Sequence, residues 1–295
     1  MVTAHPGLPE FDYVKPASLA EASRFLAEHA GAARAFMGGT DIFVRLRDGA
    51  WQAQYLVDVK HLEGMQALSF DPAAGLTIGA AVNLNRINAA PSVREHYPVL
   101  AEAAGTVASY QLRTRATLAG NVCNASPAGD TLAACLVLAG QVSVHGLAGP
   151  RQVALKDFFR GPGKTALQPG DVVTALRFPL PPAGYAAKYL KLGRNTLGDL
   201  AIVGVAALGY REAAAAAGLR FRVGLASVAP TPLLLEPAAL SAGPVDEAAL
   251  TAAAEAVAAA AAPIDDVRGS AEYRRLMVRN LARQALTEVW RKIAA

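Results

Sequence analysis

Residues 179–182 read Pro179-Leu180-Pro181-Pro182, and no regular element runs through such a segment. Proline has no amide hydrogen to give to a sheet ladder or a helix interior, and its ring holds the chain extended. The 295-residue chain therefore reads as two units, 1–178 and 179–295, joined by a stiff connection. Each is long enough to bury a core of its own.

Ahead of the prolines, Ser18 precedes an apolar-periodic stretch (Leu19, Ala22, Phe25, Leu26) and Glu21 follows it by three positions. That is a capping box, and it opens a helix that Gly31 stops. Ala35-Phe36 then runs into Gly38-Gly39, a second apolar-periodic run follows (Ile42, Phe43, Leu46), and 55–59 reads as a strand. The opening third is a β-loop-α-β unit. Beyond Met65 the pattern predicts a hairpin over 67–78, helices near 84–89 and 99–107, and a polar, small-residue segment at 117–130. A buried apolar run at 132–138 and strands at 141–145 and 171–178 follow. After the prolines come three strand-like runs, 186–192, 201–210 and 219–228. A helix over 248–262 follows, and a last helix buries Leu276, Met277, Leu281, Ala285 and Val289.

Several function classes fall away. With 53% apolar and 18% charged residues the chain is not an intrinsically disordered one. No run approaches the roughly 18 consecutive apolar residues that cross a bilayer, so no transmembrane segment is expected. The opening MVTAHPGLPEFDYV has neither a basic region nor an apolar one, so no secretory leader is expected. The net charge of +4 comes with few aromatics and interspersed acids such as Asp265, Asp266 and Glu272, which speaks against nucleic acid. The five histidines are scattered without metal-ligand spacing, and no G-x-S-x-G elbow occurs, so neither a metal site nor a hydrolase nucleophile is expected. Two cysteines, Cys123 and Cys135, make no disulfide framework and fit a reducing, cytoplasmic compartment. They are also too few for an iron–sulfur cluster, which usually takes four. Redox work on this chain would need a bound organic cofactor.

Two glycine segments could hold one. In Met37-Gly38-Gly39-Thr40-Asp41, paired glycines lie between a strand and a helix start. Without Cβ atoms a ligand can approach closely, and successive amides can converge on an anion such as a diphosphate. Thr117-Leu118-Ala119-Gly120-Asn121 repeats that chemistry in looser form. Alone, each is more often a plain turn. Together, and with Asp130, they point to a nucleotide cofactor; composition and spacing go no further. Gly161-Pro162-Gly163-Lys164-Thr165-Ala166 mimics both a P-loop and a dinucleotide fingerprint. Phe158 stands where a P-loop needs glycine, and Pro169-Gly170 ends the segment before a helix could form. It reads as a structured turn.

The ordered set of motifs carries a resemblance. Met37–Asp41 is followed by Gln111-Leu112-Arg113, Ala116–Asn121, Asn124-Ala125-Ser126-Pro127-Ala128-Gly129-Asp130 and 157–165. Lys191-Leu192-Gly193-Arg194, Val228-Ala229-Pro230-Thr231-Pro232, Pro263-Ile264-Asp265-Asp266 and 270–274 complete it. In this order they resemble the FAD-binding medium subunit of molybdenum hydroxylases, the xanthine dehydrogenase and carbon monoxide dehydrogenase family, over nearly the whole chain.

The resemblance implies an α+β fold: a two-subdomain FAD-binding domain of the vanillyl-alcohol-oxidase (PCMH) type. A smaller C-terminal α/β domain with a three-stranded antiparallel sheet and helices would follow it. It implies that Phe36, Met37, Gly38, Gly39, Thr40 and Asp41 wrap the FAD diphosphate, and that Thr117, Ala119, Gly120 and Asn121 grip it from the second subdomain. Asp130, Val173 and Lys191 match further cofactor contacts, as do Thr106 and Val107. Val173 also fits simple core, Lys191 a solvated charge, and Asp130 a helix cap. Ala119 departs from the Gly-Gly-Asn that is common in the family, so its backbone must lie in an ordinary region or carry strain. The function implied is an oxidoreductase subunit. It would pass electrons from iron–sulfur clusters through FAD to NAD, a quinone or oxygen. The molybdenum cofactor is expected only in a large partner subunit and 2Fe-2S clusters only in a small one, in a dimer of heterotrimers. The rival readings are a self-contained FAD-dependent oxidase of the same superfamily and a nucleotide-binding module without turnover.

Overall fold

The computed structural model describes residues 7–195 and 198–294. Met1–Pro6, on which part of the reading of the N-terminus rests, lie outside the described residues, as do Thr196, Leu197 and Ala295.

A parallel three-stranded sheet builds the first subdomain, in the order Asp12–Val14, Tyr55–Asp58, Ala33–Phe36. The helix Leu19–Glu28 opens on the expected capping box: Ser18 Oγ accepts from the Glu21 amide at 3.1 Å, and Glu21 accepts from the Ala17 amide at 2.8 Å. The short helix Ile42–Arg47 follows the glycine loop. At the end of the central strand, Asp58 is buried and accepts from the Tyr13 hydroxyl at 2.5 Å and from Lys60 Nζ at 2.6 Å. Burial works to raise its carboxyl, and the hydrogen bonds from Lys60 and Tyr13 outweigh that and hold it below the usual range. Lys60 in turn sits 4.2 Å over the Phe36 ring, fixing the residue that leads into the loop.

An antiparallel five-stranded sheet builds the second subdomain, in the order Leu68–Asp71, Gly75–Gly79, Val172–Phe178, Gln141–Gly146, Gly149–Ala154. The last of these was not expected from sequence: it is an edge strand starting Gly149-Pro150-Arg151, where nothing alternates and proline is tolerated. The polar, small-residue segment 117–130, for which no helix was expected, contains the helix Leu118–Asn124. Thr117 caps it, its Oγ1 accepting from the Gly120 amide at 2.9 Å, and Ala125 ends it in a left-handed conformation at φ +46°. Asp130 does not cap the next helix, Leu132–Val137; Thr131 holds that position.

Ala186–Leu192, Val203–Arg211 and Leu219–Ala226 form the expected antiparallel three strands, and Leu233–Leu235 adds a short fourth. Alternate residues of this sheet serve two cores. Val205, Ala207 and Val223 pack against the helices Glu247–Ala260 and Ala271–Ala294. Ala206, Leu208 and Ala226 join the core of the five-stranded sheet. Burial on both faces is why Val203–Arg211 reads as one unbroken apolar run. Contact with Leu132–Val137 is close: a Cβ on Gly224 would lie 3.0 Å from the carbonyl carbon of Ala133. No helix among the described residues is long and apolar enough to cross a membrane.

Candidate functional site

The glycine loop leaves the C-terminal end of Ala33–Phe36 and runs against the second subdomain. A Cβ on Gly38 would fall onto the Arg115 carbonyl group, 3.0 Å from its carbon, so only glycine lets the two backbones meet. Gly39 has φ +79°, and a Cβ there would stand 2.9 Å from the rings of Phe36 and Phe43. Opposite the loop stands the start of Leu118–Asn124. In that helix the Gly120 amide is spent on Thr117 Oγ1 and the Asn121 amide on Thr117 O. The amides of Leu118 and Ala119 have no acceptor within the helix, and the antiparallel bridge between Asn83 and Thr117 engages that of Leu118. Ala119 has ordinary helical backbone, so the departure from glycine costs no strain.

Between these walls lies a cavity of about 230 Å³. The structure places Phe36, Met37, Gly38, Gly39, Thr40, Asp41, Val107, Thr117, Ala119, Gly120, Asn121 and Val173 around it. Asn121 Oδ1 accepts from Thr131 Oγ1 at 2.6 Å, which orients its amide nitrogen away from that contact. A side-chain bridge crosses from one subdomain to the other. Asn124 Nδ2 donates to Asp41 Oδ1 at 2.9 Å, and Arg45 donates to Asn124 Oδ1 at 2.8 Å. Cys123 also lines the cavity; burial pushes its thiol up to about 12, so it stays protonated and unreactive.

Thr106, Asp130 and Lys191 gather elsewhere. Lys191 Nζ donates to Asp130 Oδ2 at 2.7 Å, to Thr106 O at 3.0 Å and to Asp199 O at 2.8 Å, so its three protons are all taken by the protein. The second carboxylate oxygen of Asp130 is buried without a partner. Burial raises the Asp130 carboxyl to about 6, with Lys191 pulling the other way. Thr106 and Lys191 line a second cavity, of about 590 Å³, and Thr106 directly precedes Val107 of the first.

Sequence reasoning passed over Arg45, Trp51, Leu167 and Asp171. Trp51, Leu167 and Asp171 line the cavity, and Arg45 closes the bridge behind it. Asn124 stood inside a motif, which was the only signal. Trp51 follows Gly49-Ala50 in a stretch with no periodicity. The segment 161–166 is the turn it was expected to be, joining the strands Phe159–Gly161 and Lys164–Thr165. Among the described residues no group of three or more His, Cys, Asp and Glu side chains could hold a metal ion.

The cradle suits a dinucleotide: backbone without Cβ on one side and, on the other, a helix start whose Ala119 amide is not spent within the helix. Comparison with known proteins agrees. A family model described as the FAD binding domain in molybdopterin dehydrogenase matches residues 9–181, and one described as the CO dehydrogenase flavoprotein C-terminal domain matches 188–289. The carbon monoxide dehydrogenase medium chain of Afipia carboxidovorans is 31% identical over 286 residues, covering 94% of this chain and 95% of its own. A putative xanthine dehydrogenase FAD-binding subunit of Escherichia coli is 28% identical over 279 residues, covering 94% of each. A chain of carbon monoxide dehydrogenase from Hydrogenophaga pseudoflava superposes with a TM-score of 0.90 at 30% identity, over 96% of this chain and 98% of that one.

Proposed function

The chain belongs to the FAD-binding medium subunits of molybdenum hydroxylases, and on that premise we propose that it is the electron-relay subunit of a heteromeric oxidoreductase complex. In this reading a large partner carries the molybdenum cofactor and a small partner carries 2Fe-2S clusters, assembled as a dimer of heterotrimers in the cytoplasm. Electrons reach this chain from the clusters and leave to NAD, a quinone or oxygen. Residues 1–178 form the cofactor domain and 179–295 the C-terminal domain.

FAD, when bound, supplies the exchange of electrons singly or in pairs. The chain supplies position and surroundings. Gly38 and Gly39 would let the loop backbone close on the diphosphate, and the amide of Ala119, unspent within its helix, would be available to it from the other wall. Val107 and Val173 would give the cleft apolar surface, and the Asp41–Asn124–Arg45 bridge ties its walls together. Thr106 and Lys191, the latter paired with Asp130, line a second cavity, where they would contact a further part of the cofactor.

The observation that carries the reading is the contact of Gly38 with Arg115, which brings two subdomains together over backbone amides. A self-contained oxidase would want a free acid or base at the cleft. The carboxylates that line it are engaged, Asp41 by Asn124 and Asp171 by Arg151 at 2.5–2.6 Å. The test is the flavin-to-protein ratio of the purified complex. Gly39→Val forces a branched residue to φ +79° and is expected to abolish bound flavin. Full flavin content in that variant would overturn the assignment of the loop.

A further inference from the structure

We propose that Arg34 and Arg45, two guanidiniums that no carboxylate pairs with among the described residues, draw an anionic flavin into the cleft and make the chain discriminate against uncharged ones. The inference rests on the reading that this cleft holds FAD.

The two arginines flank the glycine loop in sequence. Arg34 stands in Ala33–Phe36, the strand that enters the loop, and Arg45 in Ile42–Arg47, the helix that leaves it. The fold brings them together on Trp51: the Arg34 guanidinium lies 4.3 Å from the ring centre and that of Arg45 lies 4.6 Å from it. Trp51 lines the cavity, and so does Asn124, which accepts from Arg45 at 2.8 Å. The pair is therefore in contact with side chains of the cleft wall. Arg45 is also one helical turn past Asp41, its amide donating to the Asp41 carbonyl at 3.0 Å, so the loop itself is close.

Three other cations near the site are neutralised. Lys60 is 2.6 Å from Asp58, Arg151 is 2.5 Å from Asp171 and Lys191 is 2.7 Å from Asp130. Arg34 and Arg45 have the indole instead, and Asp41 reaches Arg45 only through the Asn124 amide, which donates to it at 2.9 Å. Arg34 Nε is buried without a hydrogen-bond partner. Burial, and then the charge of Arg45, lower the Arg34 pKa, so both work against the charged form, and cation–π contact offsets only part of that. Like charges held side by side in this way make a standing positive potential at the cleft. A flavin dinucleotide answers it, because its diphosphate is dianionic, whereas riboflavin carries no charge. Charge acts without contact, over about 10 Å at 0.1 M salt. The attraction therefore holds whichever ring system of the dinucleotide lies nearer Trp51.

The test is stopped-flow mixing of flavin-free full-length chain with FAD and, separately, with riboflavin. It is run at about 0.01 M and about 1 M salt, between which the reach of a charge falls from about 30 Å to about 3 Å. FAD association is expected to slow by about tenfold over that range, and riboflavin association to stay level. Arg34→Gln should slow FAD by about threefold at low salt, flatten the salt dependence and leave riboflavin unchanged. Arg34→Lys keeps the charge and should restore most of the rate. If Arg34→Gln does not fold, Arg45→Gln is read in the same way; association, rather than release, keeps that reading apart from the Asn124 bridge. FAD association as steep in salt for Arg34→Gln as for wild type would overturn the proposal and leave the cleft assignment standing. Equal slowing of FAD and riboflavin by Arg34→Gln, or no rescue by Arg34→Lys, would do the same. Failure of wild-type chain to bind FAD, measured by equilibrium dialysis, would remove the cleft assignment and this proposal with it.

Discussion

Asp130 and Lys191 form a buried ion pair, 2.7 Å apart, that ties the loop ahead of Leu132–Val137 to the first strand of the C-terminal sheet. Lys191 also accounts for two carbonyls, Thr106 O and Asp199 O, so one side chain joins three segments that are far apart in sequence. Lys191→Met would leave the buried Asp130 carboxyl without its partner and the Thr106 and Asp199 carbonyls without their donor, and removing one partner of such a pair costs about 3 kcal/mol or more. Thermal denaturation at pH 7 should show a large fall in Tm. Asp130→Asn combined with Lys191→Met should recover part of it, because no bare charge then remains. A single variant as stable as wild type would show that the pair is not needed.

The same carboxyl gives the chain an unusual response to acid. Asp130 has an ordinary value of 3.8 and is raised to about 6 in the fold. A group raised on folding contributes stability that is fully present below the unfolded value and is lost as pH rises through the folded one. The stability of wild type relative to Asp130→Asn should therefore be greatest below about pH 4 and shrink by about 3 kcal/mol by pH 7. Denaturant titrations of both proteins at pH 4, 5, 6 and 7 would measure it; a difference that grows with pH would refute the assignment.

Asp266 should behave in the opposite sense. Arg268 first, against the cost of burial, and then the buried Arg274 hold its carboxyl well below the usual range. Its stabilisation is present above about pH 4 and is lost as pH falls below that value. Arg274 is 1% exposed, so Asp266→Asn leaves a buried guanidinium without its counter-charge. A loss of about 3 kcal/mol is expected at pH 7, fading as wild type is acidified toward pH 2. Chemical denaturation across that range checks both the size and the direction.

How legible each feature was in the sequence follows from its range along the chain. The Ser18–Glu21 capping box acts over three residues and is plain in the sequence. The strand Val203–Arg211 shows as an apolar run because both its faces are buried. The helix Leu118–Asn124 was hidden because its cleft-facing positions are Ala119, Gly120 and Asn121, chosen for backbone approach rather than for burial, and that erases the helical period. The resemblance picks out Lys191, Asp130 and Thr106, but not that they bond to one another. The acceptors of Lys191 lie 85, 61 and 8 residues away, and only the packing of one sheet on another brings them together.

At Gly38 the two subdomains meet closely, since a Cβ there would overlap the Arg115 carbonyl. Gly38→Ala must push apart the loop and the backbone at 115–116, which lead into the helix capped by Thr117. Such overpacking costs about 1–3 kcal/mol. Because the displaced atoms are the cleft walls, flavin content should fall more than stability does. Flavin absorbance per protein and Tm, taken on the same preparation, separate the two effects; full flavin with lowered Tm would assign Gly38 to packing alone.

Asn124 should set how long the cofactor stays. Its side chain donates to Asp41 and accepts from Arg45, so one amide bridges the glycine loop and the helix after it to the facing wall. Asn124→Ala removes both hydrogen bonds without touching the loop backbone or the Thr117 cap. Each partly exposed hydrogen bond of this kind is worth about 1 kcal/mol, so FAD release should speed up by about fivefold to thirtyfold. Association, limited by entry into an open cleft, should change little. Asn124→Asp keeps the bond to Arg45 but sets a second carboxylate against Asp41, and it should also release FAD faster. Stopped-flow dilution into a flavin-trapping apoprotein measures the rate. Unchanged release from both variants would show that the glycine loop and the helix amides alone hold the cofactor.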